Sequence, residues 1–142
     1  MDMRRWALVG GEVVTPYRSI PEGVVLGTAG LIDFVGSMED DYVLEGREVR
    51  DTSDYIVAPG FVDIHLHGGD GADFMDGSLD AFRLACACHV RGGTTSLIPT
   101  TVAFSIDRIV ETLALVEEAM ETRLDGAQVL GAHMEGPWFA SA

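Results

Sequence analysis

The chain has 142 residues, with 23 Asp and Glu against 9 Arg and no Lys, for a formal charge of −14. That balance argues against a nucleic-acid or anionic-membrane binder, since phosphate contacts need clustered cations. With 47% apolar and 23% charged residues, the chain can bury a core and is not of disordered composition.

Two cysteines, Cys86 and Cys88, are too few and too close to form a disulfide framework, so a cytoplasmic address is expected. Arg4 and Arg5 precede an apolar stretch that breaks at Gly10 and Gly11, before a signal-peptide core could form. No run approaches the roughly 20 apolar residues of a membrane span. The chain therefore reads as soluble and unprocessed.

Residues 1–58 predict a small β unit, in which Trp6 to Val9, Glu12 to Thr15, Val24 to Leu26, Leu31 to Val35, Glu48 to Arg50 and Tyr55 to Ala58 form short strands. Gly10, Gly11, Pro16, Pro21, Gly23 and Gly30 punctuate them. The acidic run Glu39, Asp40, Asp41 reads as a solvated loop, because nothing nearby fixes its geometry.

From Pro59 onward, strands alternate with helical stretches, which implies an α/β fold with a parallel sheet. The first helix is predicted from Ser78 as N-cap to Arg91, with Leu79, Phe82, Cys86 and Val90 on one stripe and Gly92 and Gly93 as its stop. The second spans about Ser105 to Arg123, with Ile106, Ile109, Val110, Leu113, Met120 and Leu124 near one face. Strands follow each helix, at Thr94 to Pro99 and at Gln128 to Glu135.

Alternation within a strand sends Phe61, Asp63, His65 and His67 to one face and Val62, Ile64 and Leu66 to the other. In an α/β barrel the apolar set meets the helices, and His65 and His67 come nearest the strand's C-terminal end, where barrel active sites lie. The same division in the last strand makes Leu130, Ala132 and Met134 the apolar face and Val129, Gly131, His133 and Glu135 the inward one. Glu135 follows His67 by 68 positions, about two βα units of a barrel that averages roughly 31 residues per unit. Two imidazoles and a carboxylate at one rim suit a divalent metal: zinc first, with iron, manganese or cobalt tolerated.

The other polar residues have plainer readings. Asp63 and His133 each lie one inward step deeper and read as hydrogen-bonded supports. Cys86, Cys88 and His89 look like a metal cluster on paper, but i and i+2 diverge on a helix, so they read as packing residues. The Gly68-Gly69-Asp70-Gly71 stretch reads as the loop after a metal-binding strand rather than as a phosphate cradle.

The stretch from Pro59 to Gly68, PGFVDIHLHG, resembles the first barrel strand of the amidohydrolase superfamily. Residues 73–77 (DFMDG), 93–101 (GTTSLIPTT) and 133–138 (HMEGPW) further resemble the N-acetylglucosamine-6-phosphate deacetylase family within it. The resemblance implies that residues 1–58 are a small β-sandwich segment and that residues 59–142 are the first two and a half βα units of a TIM-like (β/α)8 barrel. It implies a metal-dependent hydrolase that converts N-acetylglucosamine 6-phosphate, a small-molecule partner, to glucosamine 6-phosphate and acetate, with a homodimer as the complete assembly. In that family the position matching Glu135 is a metal ligand, and the presence of both His65 and His67 implies a site for one or two ions.

Two further histidine ligands and a proton-shuttling Asp belong to later strands in that family, so the chain as written is expected to show no turnover. Two other readings compete with this one. A dihydroorotase or hydantoinase relative is disfavoured because those enzymes lean on a modified lysine, and this chain has none. A non-catalytic remnant that binds a metal or a partner through an open sheet edge is disfavoured because nothing in the sequence compensates that edge.

Overall fold

The computed structural model describes residues 4–140. The outermost positions of both predicted segments, including the first three residues of the stretch weighed as a leader, lie outside the described residues. The chain divides into two compact units, with the boundary between Pro59 and Gly60.

The first unit is all strand and turn: β1 (Arg5–Val9), β2 (Glu12–Val14), β3 (Ser19–Ile20), β4 (Gly23–Thr28), β5 (Leu31–Ser37), β6 (Glu48–Asp51) and β7 (Ile56–Val57). They form a four-stranded sheet ordered β5-β4-β1-β6 and a three-stranded sheet ordered β3-β2-β7. Alternation sorts the central strands to two faces. Ala7, Val24 and Leu26 pack with Phe34, Tyr42 and Leu44, while Val25 packs with Val13, Ile20, Trp6 and Val57. The β4–β5 hairpin turns on Ala29 and Gly30, both at positive φ, the conformation a tight two-residue hairpin requires. Arg47 reaches under this sheet, donating to the Gly27 carbonyl at 2.9 Å and pairing with Asp33 at 3.2 Å. The Glu39 to Asp41 run is exposed, and Asp40 accepts from the Ser37 N–H at 2.7 Å.

The second unit contains β8 (Phe61–Leu66), β9 (Gly68–Gly69), β10 (Ala72–Asp73), α1 (Leu79–Arg91), β11 (Thr94–Pro99), α2 (Ile106–Glu121) and β12 (Gln128–Val129). Strands β8, β11 and β12 form a parallel sheet ordered β12-β11-β8. Both helices begin at the predicted serines: Ser78 Oγ accepts from the Ala81 N–H and Ser105 Oγ from the Arg108 N–H. Phe74, Phe82, Ala85, Cys86, Leu97, Val116, Ala119, Ala127 and Val129 form the core between helices and sheet. Burial pushes the Cys86 thiol up to about 11, which keeps it neutral as a packing group.

Four expectations are corrected here. In α2 the buried row is Ile109, Thr112, Val116 and Ala119, about a quarter turn from the predicted face, and Ile106, Val110 and Met120 are exposed. Thr112 can be buried because its hydroxyl donates to the Arg108 carbonyl at 3.0 Å, so a polar residue occupies a core position that hydrophobicity does not flag. In β8 only Leu66 of the predicted apolar set joins the core, and Val62 and Ile64 are exposed. β8 is the edge strand of its sheet among the described residues, and the two helices of this unit pack on β11 and β12 rather than on its apolar face. The predicted strand from Gln128 to Glu135 pairs continuously only over Gln128–Val129. It is Val129 that enters the core, while Leu130 and Met134 stay exposed.

The hydrogen bonds show where the predicted alternation breaks. The Leu130 N–H donates to the Leu97 carbonyl, and the next donor, His133 N–H, goes to the Pro99 carbonyl. Three steps on one strand therefore match two on the other, which is a one-residue bulge, so Val129 before it and His133 and Glu135 after it no longer share the single alternation that the sequence predicts.

A short hairpin also escaped the sequence pattern. β9 and β10 pair antiparallel around Asp70 and Gly71, both at positive φ. Asp-Gly is the favoured pair for such a turn, but flanks of two residues each carry no alternation to mark them as strands.

The turn after α2 lies on α1. A Cβ at Gly126 would come within 2.4 Å of the Cys86 carbonyl carbon and 2.6 Å of the Ala87 nitrogen. Gly126→Ala is expected to cost about 1–3 kcal/mol, the usual penalty of overpacking against atoms that cannot yield. Urea unfolding measures it, and a loss below about 0.5 kcal/mol, the range of neutral surface changes, would contradict the close approach.

Candidate metal centre

Three side chains meet at the C-terminal end of β8 and in the segment that follows β12. The ligand-type atoms of His65, His67 and Glu135 all lie within 4.8 Å of one another. His65 Nε2 is 3.1 Å and His67 Nε2 3.6 Å from the same oxygen, Glu135 Oε2. The two imidazole planes are inclined at 72° with centroids 5.4 Å apart. All three side chains are partly exposed, between 33% and 52%, so an ion and a substrate have access from solvent.

The positions follow from local backbone irregularities. Between Asp63 and Leu66, β8 carries one more residue than the facing stretch of β11, so the strict alternation read from the sequence breaks at the segment containing His65. Bulges commonly re-aim side chains beside functional sites. Asp63 braces this segment by accepting from the His65 N–H at 3.1 Å, a supporting position rather than a member of the cluster. Glu135 lies past the last strand, after an isolated bridge between Thr100 and His133. Its backbone is tied to Thr101, whose hydroxyl accepts from the Glu135 N–H at 3.0 Å and lies 3.1 Å from the Glu135 carbonyl.

The histidines differ in how they are held. His67 Nδ1 is 3.2 Å from the Thr100 carbonyl. A carbonyl can only accept, so Nδ1 carries a proton and Nε2 is the nitrogen turned toward Glu135. A metal-binding histidine is typically held this way, with its second nitrogen committed to a carbonyl. His133 lies outside the cluster: its Nδ1 is 3.3 Å from Thr100 Oγ1 and its ring stands edge-on to His65 at 4.6 Å.

The remaining sequence candidates are structural. His89 Nε2 contacts the Gly68 carbonyl at 2.9 Å and Arg91 pairs with Asp70, so α1 clamps the β9–β10 hairpin that follows His67. The Arg91 guanidinium holds the Asp70 carboxyl below the usual carboxylate range. Cys86 is buried in the core and Cys88 partly exposed; neither joins a metal-type cluster among the described residues. Thr100 and Thr101, both about 1% exposed, are the site residues that sequence reasoning passed over. The available signal was a pair of adjacent hydroxyls immediately after the β11 strand, directly opposite the bulged segment of its neighbour.

No family model matches the chain. It is 36% identical over 129 residues to N-acetylglucosamine-6-phosphate deacetylase of Bacillus subtilis (strain 168), a match covering 89% of this chain and 32% of that protein. The curated homologues are thus deacetylases of phosphorylated amino sugars, and this chain is homologous to part of one. It is also 36% identical over 84 residues to N-acetylgalactosamine-6-phosphate deacetylase of Escherichia coli O157:H7, covering 59% of this chain and 22% of that protein. The fold matches the crystal structure of N-acetylglucosamine-6-phosphate deacetylase from Pasteurella multocida with a TM-score of 0.83 at 23% identity, over 96% of this chain and 35% of that one. The chain therefore spans about a third of the length of the Bacillus subtilis and Pasteurella multocida deacetylases. In the described residues no helix is long and apolar enough to cross a membrane.

Proposed function

We propose that this chain contributes the metal-binding rim of an amide hydrolase that removes the acetyl group from an N-acetylhexosamine 6-phosphate, with N-acetylglucosamine 6-phosphate as substrate. The observation that carries the reading is the convergence of two imidazole nitrogens and one carboxylate within 4.8 Å. On this reading the parallel strands and two helices after Pro59 are successive βα units of a (β/α)8 barrel, and the two sheets before it are a small β-sandwich.

The donor set fits a divalent cation. Two nitrogen ligands and one oxygen suit zinc and accommodate iron, manganese or cobalt. The partial exposure of all three groups leaves coordination positions open to solvent, as a hydrolytic site requires. When bound, such an ion supplies Lewis acidity toward an amide carbonyl and lowers the pKa of a bound water toward neutrality.

The chain's own residues do the rest of the positioning. The Thr100 carbonyl holds the Nδ1–H of His67, which leaves Nε2 as the nitrogen turned toward the cluster. Glu135 places negative charge between the imidazoles, and Thr101 fixes the backbone that carries it. Because the chain spans about a third of its relatives, the full hydrolysis is proposed for the whole protein, and this chain's share is the rim.

Titrating the metal-free chain with cobalt(II) while following its visible absorption tests the reading. Saturable binding of one or two ions per chain, displaced by zinc, is the expected result. Absence of saturable binding would overturn it.

A further inference from the structure

We infer that Thr100 is the positioning residue of this site, through its side-chain hydroxyl as well as its backbone; the inference rests on the metal-rim reading above. Its side chain touches none of the three cluster residues, yet its polar atoms reach both neighbouring strands.

The extra residue between Asp63 and Leu66 takes the Leu66 N–H out of the regular ladder with β11. Thr100 Oγ1 receives that N–H at 3.1 Å, and the Thr100 N–H donates to the Leu66 carbonyl at 2.8 Å. One threonine thus closes both backbone groups of the residue between His65 and His67. A buried N–H without a partner is costly, so the irregular segment that presents the two imidazoles depends on this hydroxyl.

The same hydroxyl has one proton to give. It is about 1% exposed, so solvent does not take it, and its recorded partner is His133 Nδ1 at 3.3 Å. Donation of the hydroxyl proton to Nδ1 uses that nitrogen's lone pair and so puts the ring proton of His133 on Nε2. Meanwhile the Thr100 carbonyl holds the opposite tautomer on His67, with the proton on Nδ1. A single residue therefore imposes complementary tautomers on two histidines, one turning its Nε2 toward the cluster and one supporting it edge-on against His65. Serine preserves these bonds. Valine keeps the shape and removes both hydroxyl functions.

The test compares the full chain with its Thr100→Val and Thr100→Ser variants. Side-chain nitrogen NMR is recorded at a pH about two units above the ordinary histidine value of ~6.5, where imidazoles are neutral. The expected spectrum of the unsubstituted chain shows His67 as the Nδ1–H form and His133 as the Nε2–H form. In Thr100→Val, His133 becomes a mixture of tautomers and cobalt(II) affinity falls by roughly 10- to 100-fold, the range for groups that orient metal ligands. Thr100→Ser restores both readings. Valine binding cobalt(II) as tightly as threonine, or serine behaving like valine, would overturn the role of the hydroxyl. If the unsubstituted chain itself binds no cobalt(II), the metal-rim reading fails instead. The tautomer readout needs no metal and is decided separately: His133 in the Nδ1–H form in the unsubstituted chain would overturn the inference.

Discussion

Glu135→Ala is expected to lower cobalt(II) or zinc affinity by at least about 100-fold, because substituting a group that merely orients a ligand already costs 10- to 100-fold and Glu135 is itself the shared contact of both imidazoles. Its Oε2 lies 3.1 Å from His65 and 3.6 Å from His67. Removing it leaves two nitrogen donors, too few to hold a divalent ion against water. The backbone tie to Thr101 is made by the Glu135 main chain, so it survives the substitution. Circular dichroism should be unchanged, and isothermal titration should show the loss. In protein carrying this sequence that releases acetate from N-acetylglucosamine 6-phosphate, the same variant should lose that activity. Affinity within threefold of the parent would remove the carboxylate from the proposed rim.

Phe82→Ala is expected to destabilise the chain by about 3–5 kcal/mol, the cost of truncating a fully buried aromatic side chain. Phe82 has no exposed surface and packs against the equally buried Phe74, with ring centroids 5.0 Å apart at 56°. A domain has about 5–15 kcal/mol of stability in all, so this loss takes a large share of it. The damage should also reach the site, since the Phe74 N–H donates to the His67 carbonyl at 2.9 Å. Urea unfolding reads the first effect and cobalt(II) titration the second. Phe82→Leu, which keeps much of the volume, should lie well above alanine in both. A loss under about 1 kcal/mol would mean that the cluster is less tightly packed than the structure places it.

The relation between the core and the rim follows from how the second unit is built. Its apolar residues lie between the helices and the parallel sheet, and the polar cluster stands at the C-terminal end of β8 and in the segment that follows β12. The hairpin at Gly68–Asp73 joins the two levels. It is held from α1 by His89 and Arg91 and continues directly into Phe74. A perturbation of α1 therefore has a short physical route to His67.

Much of this was legible in the linear chain. Ser78 and Ser105 marked both helix starts because a hydroxyl before an apolar-periodic run caps free N–H groups wherever it occurs. Short apolar runs at Trp6 to Val9 and Val24 to Leu26, bounded by Gly and Pro, marked strands of the first unit, since turn residues interrupt a strand wherever it sits. The three members of the cluster were legible as polar residues near strand ends at a spacing of two βα units. These signals are local or periodic, and so survive without knowledge of neighbours. By itself, then, the sequence determined where strands and helices begin and which side chains near the strand ends could hold a metal.

What only the tertiary structure decided was facing and support. Val129 entered the core while His133 and Glu135, of the same parity, did not, because a bulge between them, defined by hydrogen bonds to Leu97 and Pro99, shifts the strand by one residue, and no side-chain pattern encodes where an extra residue is absorbed. The buried face of α2 turned toward Thr112 because a hydroxyl can satisfy itself on its own helix, a bond invisible to hydrophobic periodicity. Thr100 gained its place between His67 and His133 only when three strand ends came together, since hydrogen-bond partners more than 30 residues apart are set by packing across strands.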